Sequence, residues 1–218
     1  MSPLLCVRRW RWATMSTRRI CENALQGQHD MIINRFEIDG PAELVLQRHF
    51  DERGFFCETF NVECLASIGI SESTWTQDNQ SFSERVYTLR GLHYQLPPFD
   101  QAKIVRVLKG AIFDVAVDIR SASPSFGKWV AVTLTADCFN QLYIPAGFAH
   151  GFLTLEANVE VLYKVSAPYS KQHERSIRWN DPDVNISWPL PGDSIPRLSG
   201  KDVDAPFLRG NPMDGQNA

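Results

Sequence analysis

The sequence predicts an all-β domain, built as a sandwich or a barrel with a few short helices. Short apolar runs with the alternation of β-strands begin at Met31 and recur about every 8–12 residues. Gly, Pro, Asp and Ser residues separate these runs, as expected for tight turns. The strands do not alternate with long helical patterns, so the sequence does not favour a parallel α/β sheet.

The composition restricts the class of protein further. The chain has 218 residues, of which 44% are hydrophobic and 22% charged, as in an ordinary globular protein. Its net charge of -3 provides no bulk attraction to nucleic acid or to an acidic membrane. No apolar run approaches the roughly 20 residues of a membrane helix. The five cysteines are scattered without a CxxC pair or a zinc spacing, so we expect reduced thiols and a cytoplasmic location.

Residues 1–30 differ from the rest of the chain. They contain five arginines and only two acidic residues, without a clean periodicity. The apolar stretch at positions 4–7 is too short for a secretory signal, although an Arg-rich, acid-poor leader can resemble an organellar transit peptide. The alternative is that Met31 is the functional start. In either case we expect a disordered or non-essential N-terminal extension.

The first predicted elements are strands followed by a short helix. The strand-like runs cover residues 32–36, 44–46 and 55–60. Asn61 is a suitable N-cap for a helix that reaches residue 68, and Gly69 is a suitable residue to end it. Residues 75–81 are polar and lead into the central part of the chain.

The central part of the chain predicts a series of strands. Residues 113–120 alternate Phe, Val, Val and Ile with Asp, Ala, Asp and Arg, which is the pattern of a half-buried strand. Further runs cover residues 103–107, 129–135, 141–144, 152–155 and 159–165. Beyond residue 167 the chain is rich in Pro, Asp and Trp, so we expect an ordered wrap over the barrel. Residues 31–208 are therefore predicted to form a single domain, with a disordered tail at 209–218.

Two neighbouring stretches carry the first chemical signal. Residues 90–95 read RGLHYQ, with His93 two positions after a glycine. Lys103 begins the next strand-like run and shares a face with Val105 and Val107. A cation on the apolar face of a strand is costly to bury unless it has a partner or a role. A lone histidine would more often be structural, but the nearby lysine favours an active site.

A second stretch adds His150 and Tyr163. Residues 145–152 read PAGFAHGF, in which a Pro-x-Gly turn precedes a strand that carries His150. Tyr163 shares its face with Val159 and Val161, so its hydroxyl points into the same interior as Lys103. It is either a core tyrosine bonded to the backbone or a proton donor from the opposite side of a site.

Together these two stretches resemble the paired motifs of the cupin jelly roll, a double-stranded β-helix. Metal-binding cupins use a His-x-His pair and an acid in the first motif. Here His93 is followed by Tyr94 and Gln95, and no carboxylate occurs in the next four residues. We therefore expect no metal. Without one, His93 is a competent base near neutral pH, and Lys103 can stabilise an enolate oxygen.

Several longer motifs resemble one enzyme family. They are RGFF (53–56), LRGLHYQ (89–95), FDVAVDIR (113–120), SPSFG (123–127), IPxGFAHGF (144–152), YK (163–164), WNDP (179–182), WP (188–189) and LSxKD (198–202). In this order they resemble the dTDP-4-dehydrorhamnose 3,5-epimerase family from about residue 31 to residue 208. None of the motifs falls in residues 1–30, which supports a start at Met31.

The resemblance implies roles for the matching residues. His93 matches the general base, Asp202 the carboxylate that orients it, Tyr163 the general acid and Lys103 the cation near the C4 keto oxygen. Two further residues, Arg90 and His150, match the lining of the sugar pocket. The residues that match the binding site of the nucleotide and its diphosphate are Arg53, Glu58, Gln77, Asp78, Asn79, Tyr169, Glu174 and Lys201, and among them Tyr169 matches the aromatic ring that stacks on thymine.

The resemblance also implies an activity and an assembly. The family inverts C3 and C5 of dTDP-4-dehydro-6-deoxy-D-glucose through an enolate, giving dTDP-4-dehydro-L-rhamnose without metal or redox cofactor. Its members are homodimers that exchange strands, so Arg53 and Glu58 can act across the interface. The alternatives are an epimerase that inverts only one carbon of a related nucleotide sugar, a metal-dependent cupin oxygenase, and a cupin that only binds sugar.

Overall fold

The protein is described by a computed structural model over residues 31–72 and 74–209, together with the backbone of Ile20–Glu22. The strands in this part of the chain are β1 (Ile20–Glu22), β2 (Met31–Arg35), β3 (Ala42–Leu46), β4 (His49–Asp51), β5 (Gly54–Phe56), β6 (Gln77–Ser83), β7 (Leu89–Gln95), β8 (Lys103–Lys109), β9 (Ala111–Asp118), β10 (Trp129–Thr135), β11 (Asn140–Ile144), β12 (Phe148–Thr154), β13 (Val159–Val165) and β14 (Glu174–Ser176). Two short helices complete it, α1 (Val62–Ser67) and α2 (Gly200–Val203).

The strands form two main antiparallel sheets. One has seven strands in the order β1-β2-β3-β11-β8-β13-β6, and the other has five in the order β10-β9-β12-β7-β14. A separate hairpin consists of β4 and β5. Apolar residues from both sheets meet in one buried cluster, to which β8, β9, β10, β11, β12 and β13 all contribute. The predicted all-β jelly roll with a few short helices is confirmed.

Strand alternation places the functional side chains as predicted. Val105 and Val107 of β8 and Val161 of β13 belong to the buried cluster between the sheets. Lys103 and Tyr163 have the same parity as these residues and therefore lie on the interior side of their strands. Tyr163 packs directly against this cluster.

The C-terminal wrap buries the outer face of the five-stranded sheet. Val115 and Val117 of β9 pack there against Ile177, Val184 and Leu208. As a result β9 is buried on both faces, and the prediction of a half-buried strand is wrong. The polar members of its alternation, at positions 114 and 118, are fully buried instead of facing water.

The predicted helix after Asn61 is confirmed as α1. The Asn61 side chain accepts hydrogen bonds from the backbone N–H groups of Glu63 and Cys64, at 2.9 and 3.2 Å. Leu65 packs beneath the seven-stranded sheet. The polar segment at 75–81 largely forms strand β6, whose alternate residues face the barrel interior.

Two predictions concern the ends of the chain. The extension at 1–30 lies outside the described residues, except for the backbone of Ile20–Glu22, which pairs with β2. The predicted tail at 209–218 lies outside them apart from Arg209. Within the described residues, no helix is long and apolar enough to cross a membrane. Cys138 is disulfide-bonded, so the expectation of reduced thiols is wrong for this residue.

Candidate active site

A cavity of about 700 Å³ lies between the two main sheets, under the end of the C-terminal wrap. Most of the predicted site residues line it. They are Gln77, Asn79, Arg90, His93, Lys103, His150, Tyr163, Tyr169, Glu174, Lys201 and Asp202. Positions separated by more than a hundred residues in sequence thus converge on one cavity.

Two glycines allow β7 and β12, the strands that carry His93 and His150, to lie close together. Gly91 of β7 has φ +127°, and a Cβ there would lie 2.5 Å from the Cα of Gly151 on β12. Only glycine allows the two backbones to approach this closely. The register of these strands then places His93 directly opposite His150.

His93 is held by a carboxylate from the other end of the chain. Its Nε2 lies 2.6 Å from Oδ1 of Asp202, and the Oγ of Ser199 donates a 2.7 Å hydrogen bond to Oδ2. Burial raises the pKa of Asp202, but the hydrogen bonds from His93 and Ser199 lower it by more, so the net pKa lies below its usual value. The pair is suited to orient a base and to stabilise its protonated form.

His150 has its own carboxylate partner, which sequence reasoning missed. Its Nε2 lies 2.7 Å from Oδ1 of Asp114, a fully buried residue of β9. Burial lowers the pKa of His150, against the opposing effect of the Asp114 charge. A signal was present, because Asp114 shares its parity with Ala116, a small residue that faces the interior.

Lys103 is a buried cation that lines the cavity. Only 7% of it is exposed, and its Nζ lies 3.4 Å from the carbonyl oxygen of His93. Burial lowers its pKa to about 8, although the negative charges of Asp114 and Glu174 oppose this effect. The ammonium therefore keeps its proton at neutral pH and can stabilise a negative oxygen in the cavity.

Tyr163 lies on the sheet opposite His93. Burial raises the pKa of its phenol, and the positive charge of Arg90 only partly opposes this. The hydroxyl thus remains protonated in the neutral range and can donate a proton. Arg90 is itself anchored, since its Nε donates to Oγ of Ser83 at 3.2 Å and one terminal nitrogen donates to the carbonyl oxygen of Phe82 at 3.0 Å.

Polar residues around Tyr169 form the other end of the cavity. The Tyr169 hydroxyl donates to Oε2 of Glu174 at 3.1 Å, and the other oxygen of Glu174 forms an ion pair with Lys201. The Tyr169 backbone N–H donates to Oε1 of Gln77, whose Nε2 donates to Asn79 at 2.6 Å. Tyr169 as a whole residue is 54% exposed, so its side chain is accessible to a ligand.

Three predicted site residues do not line the cavity of the single chain. Arg53 lies at the tip of the β4–β5 hairpin and bonds to Asp51. Glu58 is exposed on the segment that follows the hairpin. Asp78 alternates with the cavity-facing residues of β6 and pairs with Lys164 at 2.6 Å instead.

Sequence reasoning also missed Arg197, which lines the cavity beside β7. Its backbone is fixed there, because the Leu89 N–H donates to its carbonyl oxygen at 2.9 Å. No motif distinguished this arginine from a surface residue. Across the described residues, no three His, Cys, Asp or Glu side chains are grouped so that they could hold a metal ion.

Comparisons with known proteins converge on one family. The family model described as dTDP-4-dehydrorhamnose 3,5-epimerase matches residues 35–210. The chain is 45% identical over 176 residues to the protein of that name from Sinorhizobium fredii, covering 80% of this chain and 89% of the relative.

Two solved structures show the same fold. The Legionella pneumophila dTDP-6-deoxy-D-glucose-3,5-epimerase, in complex with dTDP-4-keto-L-rhamnose, is 43% identical with a TM-score of 0.77, over 82% of this chain and 93% of that one. The 3′-monoepimerase ChmJ of Streptomyces bikiniensis, in complex with dTDP-quinovose, is 36% identical with a TM-score of 0.72, over 79% and 86%.

Proposed function

Because the chain belongs to the dTDP-4-dehydrorhamnose 3,5-epimerase family, we propose that it inverts C3 and C5 of dTDP-4-dehydro-6-deoxy-D-glucose. The product is dTDP-4-dehydro-L-rhamnose. The observation that carries the proposal is the arrangement of three groups around one cavity. His93, which is bonded to Asp202, lies on one sheet, and Tyr163 and Lys103 lie on the other.

The 4-keto group of the substrate explains why these groups suffice. His93 removes the proton from C3 or C5, the two carbons next to the carbonyl, the C–H electron pair forms a C=C bond with C4, and the negative charge moves to the C4 oxygen. Lys103 stabilises that oxygen. Tyr163 then protonates the same carbon from the opposite side, which inverts it. Exchange with water removes the proton from His93 and restores one to Tyr163, and the same cycle inverts the other carbon.

The polar end of the cavity suits the nucleotide part of the substrate. The exposed ring of Tyr169 supports stacking of a thymine base. Gln77 and Asn79 offer amide groups to the base, and Lys201 offers a cation to the diphosphate. Glu174 holds Tyr169 and Lys201 in place. The sugar then extends towards His150.

A homodimer would bring in the predicted residues that the single chain leaves outside. The hairpin that carries Arg53 also exposes Phe50, Phe55 and Phe56, at 69%, 51% and 71%. An exposed apolar patch of this kind suits an interface with a second copy, whose cavity Arg53 and Glu58 would complete. Sedimentation should then give twice the 24.8 kDa chain mass, and a monomeric active enzyme would contradict this arrangement.

Neither a metal nor a redox cofactor takes part in the proposed reaction, because each step is a proton transfer. The role predicted for Asp78 and the cytoplasmic location stay predictions.

The experiment that tests the function is proton NMR of the purified protein with dTDP-4-dehydro-6-deoxy-D-glucose in D₂O and EDTA. We expect deuterium at both C3 and C5 and the product with L-configuration. Deuterium at a single carbon would instead indicate a mono-epimerase, the activity that the similarity to ChmJ keeps open. A folded protein that exchanges neither proton would overturn the proposal.

A further inference from the structure

Next to His150 lies a buried carboxylate that uses only one of its two oxygens in a hydrogen bond. Asp114 is completely buried, and its Oδ1 makes the 2.7 Å hydrogen bond with His150. Its Oδ2 has no hydrogen-bond partner among the described residues. A buried carboxylate is costly unless a charge or hydrogen bonds compensate it, so this oxygen requires a physical explanation.

Lys103 is a buried cation that compensates the charge of this carboxylate without a direct ion pair between them. The lysine is almost fully buried. The hydrogen bond from its Nζ to the carbonyl oxygen of His93 is long, at 3.4 Å. Among the charges around Lys103, that of Asp114 contributes most to keeping the ammonium protonated; Glu174 contributes in the same direction and Lys201 opposes it. His150 forms a cluster with Asp114 and Lys103. Its burial and the nearby Lys103 and His93 disfavour its protonated form.

We propose that Asp114 is a positioning residue of this active site. One oxygen holds the ring of His150, and the negative charge of the carboxylate serves as the counter-ion of the Lys103 ammonium. The inference rests on the proposed function, in which Lys103 must be charged to stabilise the C4 oxygen. With a neutral His150, the cluster of three carries no net charge. The N–H groups of Lys103 therefore remain available to the substrate.

The pH dependence of the reaction separates this role from a merely structural one. In the wild type, activity should fall above about pH 8 as Lys103 loses its proton. Asp114→Asn keeps the shape and the acceptor for His150 but removes the charge, so burial acts on Lys103 without compensation. We expect this alkaline limb of kcat/KM to move down by at least about one pH unit. The loss of activity should then be at least about fourfold greater at pH 8 than at pH 6.5.

The matched control is Asp118→Asn. Asp118 lies on the same strand and is also fully buried, but it bonds to Arg120, Ser123 and Ser125 outside the cavity. Its variant should leave the alkaline limb where it is. An equal loss of activity at every pH in the Asp114 variant would overturn the proposal.

Lys103→Arg tests whether the effect passes through Lys103, because a guanidinium stays charged throughout this range. The alkaline limb should disappear in this variant, and Asp114→Asn should then shift nothing. A shift of the same size in both backgrounds would contradict the counter-ion role. A wild type without turnover would count against the proposed function instead.

A measurement on the wild type covers the case in which the Asp114 variant does not fold. In protein labelled with ¹³C at the aspartate carboxyl groups, the Asp114 signal should be that of a carboxylate at pH 7. A protonated Asp114 would overturn the inference, because a neutral acid cannot serve as a counter-ion. This readout needs no activity.

Discussion

Two histidine–aspartate pairs of nearly equal length lie opposite each other in this barrel, and their surroundings differ. His93 is 2.6 Å from Asp202, and its side chain is 30% exposed. His150 is 2.7 Å from Asp114, with a side chain that is 8% exposed. Asp202 lies on the short helix α2 near the end of the C-terminal wrap, whereas Asp114 lies on β9, the strand next to that of His150.

The difference shows that the length of such a pair does not assign its role. A histidine that exchanges protons with substrate and water must be accessible, and only His93 meets this condition. Burial lowers the pKa of His150 and keeps it neutral at pH 7, so its pair is suited to hold position. Access to solvent separates a reacting pair from a supporting one.

The largest effect should come from exchanging the two histidines for alanine one at a time. His93→Ala removes the base, so deuterium incorporation at C3 and C5 should fall by about 10³-fold or more. His150→Ala leaves the base in place, and exchange should fall by about tenfold to a hundredfold, the loss expected for a contact to the substrate. Proton NMR in D₂O measures both. Equal losses would erase the distinction between the pairs.

A smaller and more selective effect is expected for Tyr163→Phe. His93 and Asp202 remain, so proton removal from the substrate continues, whereas inversion loses its donor and should slow by about a hundredfold. The ratio of deuterium exchange with retention to exchange with inversion reports this selectivity. If both rates fall together, Tyr163 only positions the substrate.

The smallest effect should come from Ser199, which donates a hydrogen bond to Asp202 of the accessible pair. Ser199→Ala removes one hydrogen bond to Asp202, which should lower kcat by roughly tenfold with little change in KM. Because that bond lowers the pKa of Asp202, its loss should also move the acid side of the rate profile to higher pH.

Ser199→Thr keeps the hydroxyl and should restore the rate. The exposed Ser194, which bonds to the Pro191 carbonyl outside the cavity, is the matched control for alanine substitution. A rise in KM at constant kcat would show that Ser199 serves substrate binding instead.

The sequence predicted the positions that depend on local alternation. The sides on which Lys103 and Tyr163 lie follow from the two-residue period of a strand, which long-range packing did not alter. The glycines near them in sequence singled out His93 and His150, and two of these, Gly91 and Gly151, bring their strands together. The pairing with Asp202, across 109 residues, came from the family resemblance and not from any local pattern.

The sequence could not reveal what depends on burial by distant segments. Asp114 looked solvent-facing because the alternation of β9 is typical of a half-buried strand, and only the C-terminal wrap makes both faces interior. Arg53 and Glu58 were assigned to the site by the family resemblance, and local alternation does not indicate where an exposed hairpin, or the segment after it, makes its contacts. Asp78 was grouped with Gln77 and Asn79 by position, although neighbouring strand residues point to opposite sides.

The position of α2 late in the chain has a consequence for biosynthesis. Every strand of the two sheets ends by Ser176, whereas the carboxylate that orients the base is added at residue 202. A ribosome therefore synthesises all of these strands before it synthesises Asp202. A protease cut just before Ser199 would remove Asp202, the proposed partner of the base, and it would also remove Leu208 from the outer face of the five-stranded sheet. Activity should therefore require a chain that extends through α2.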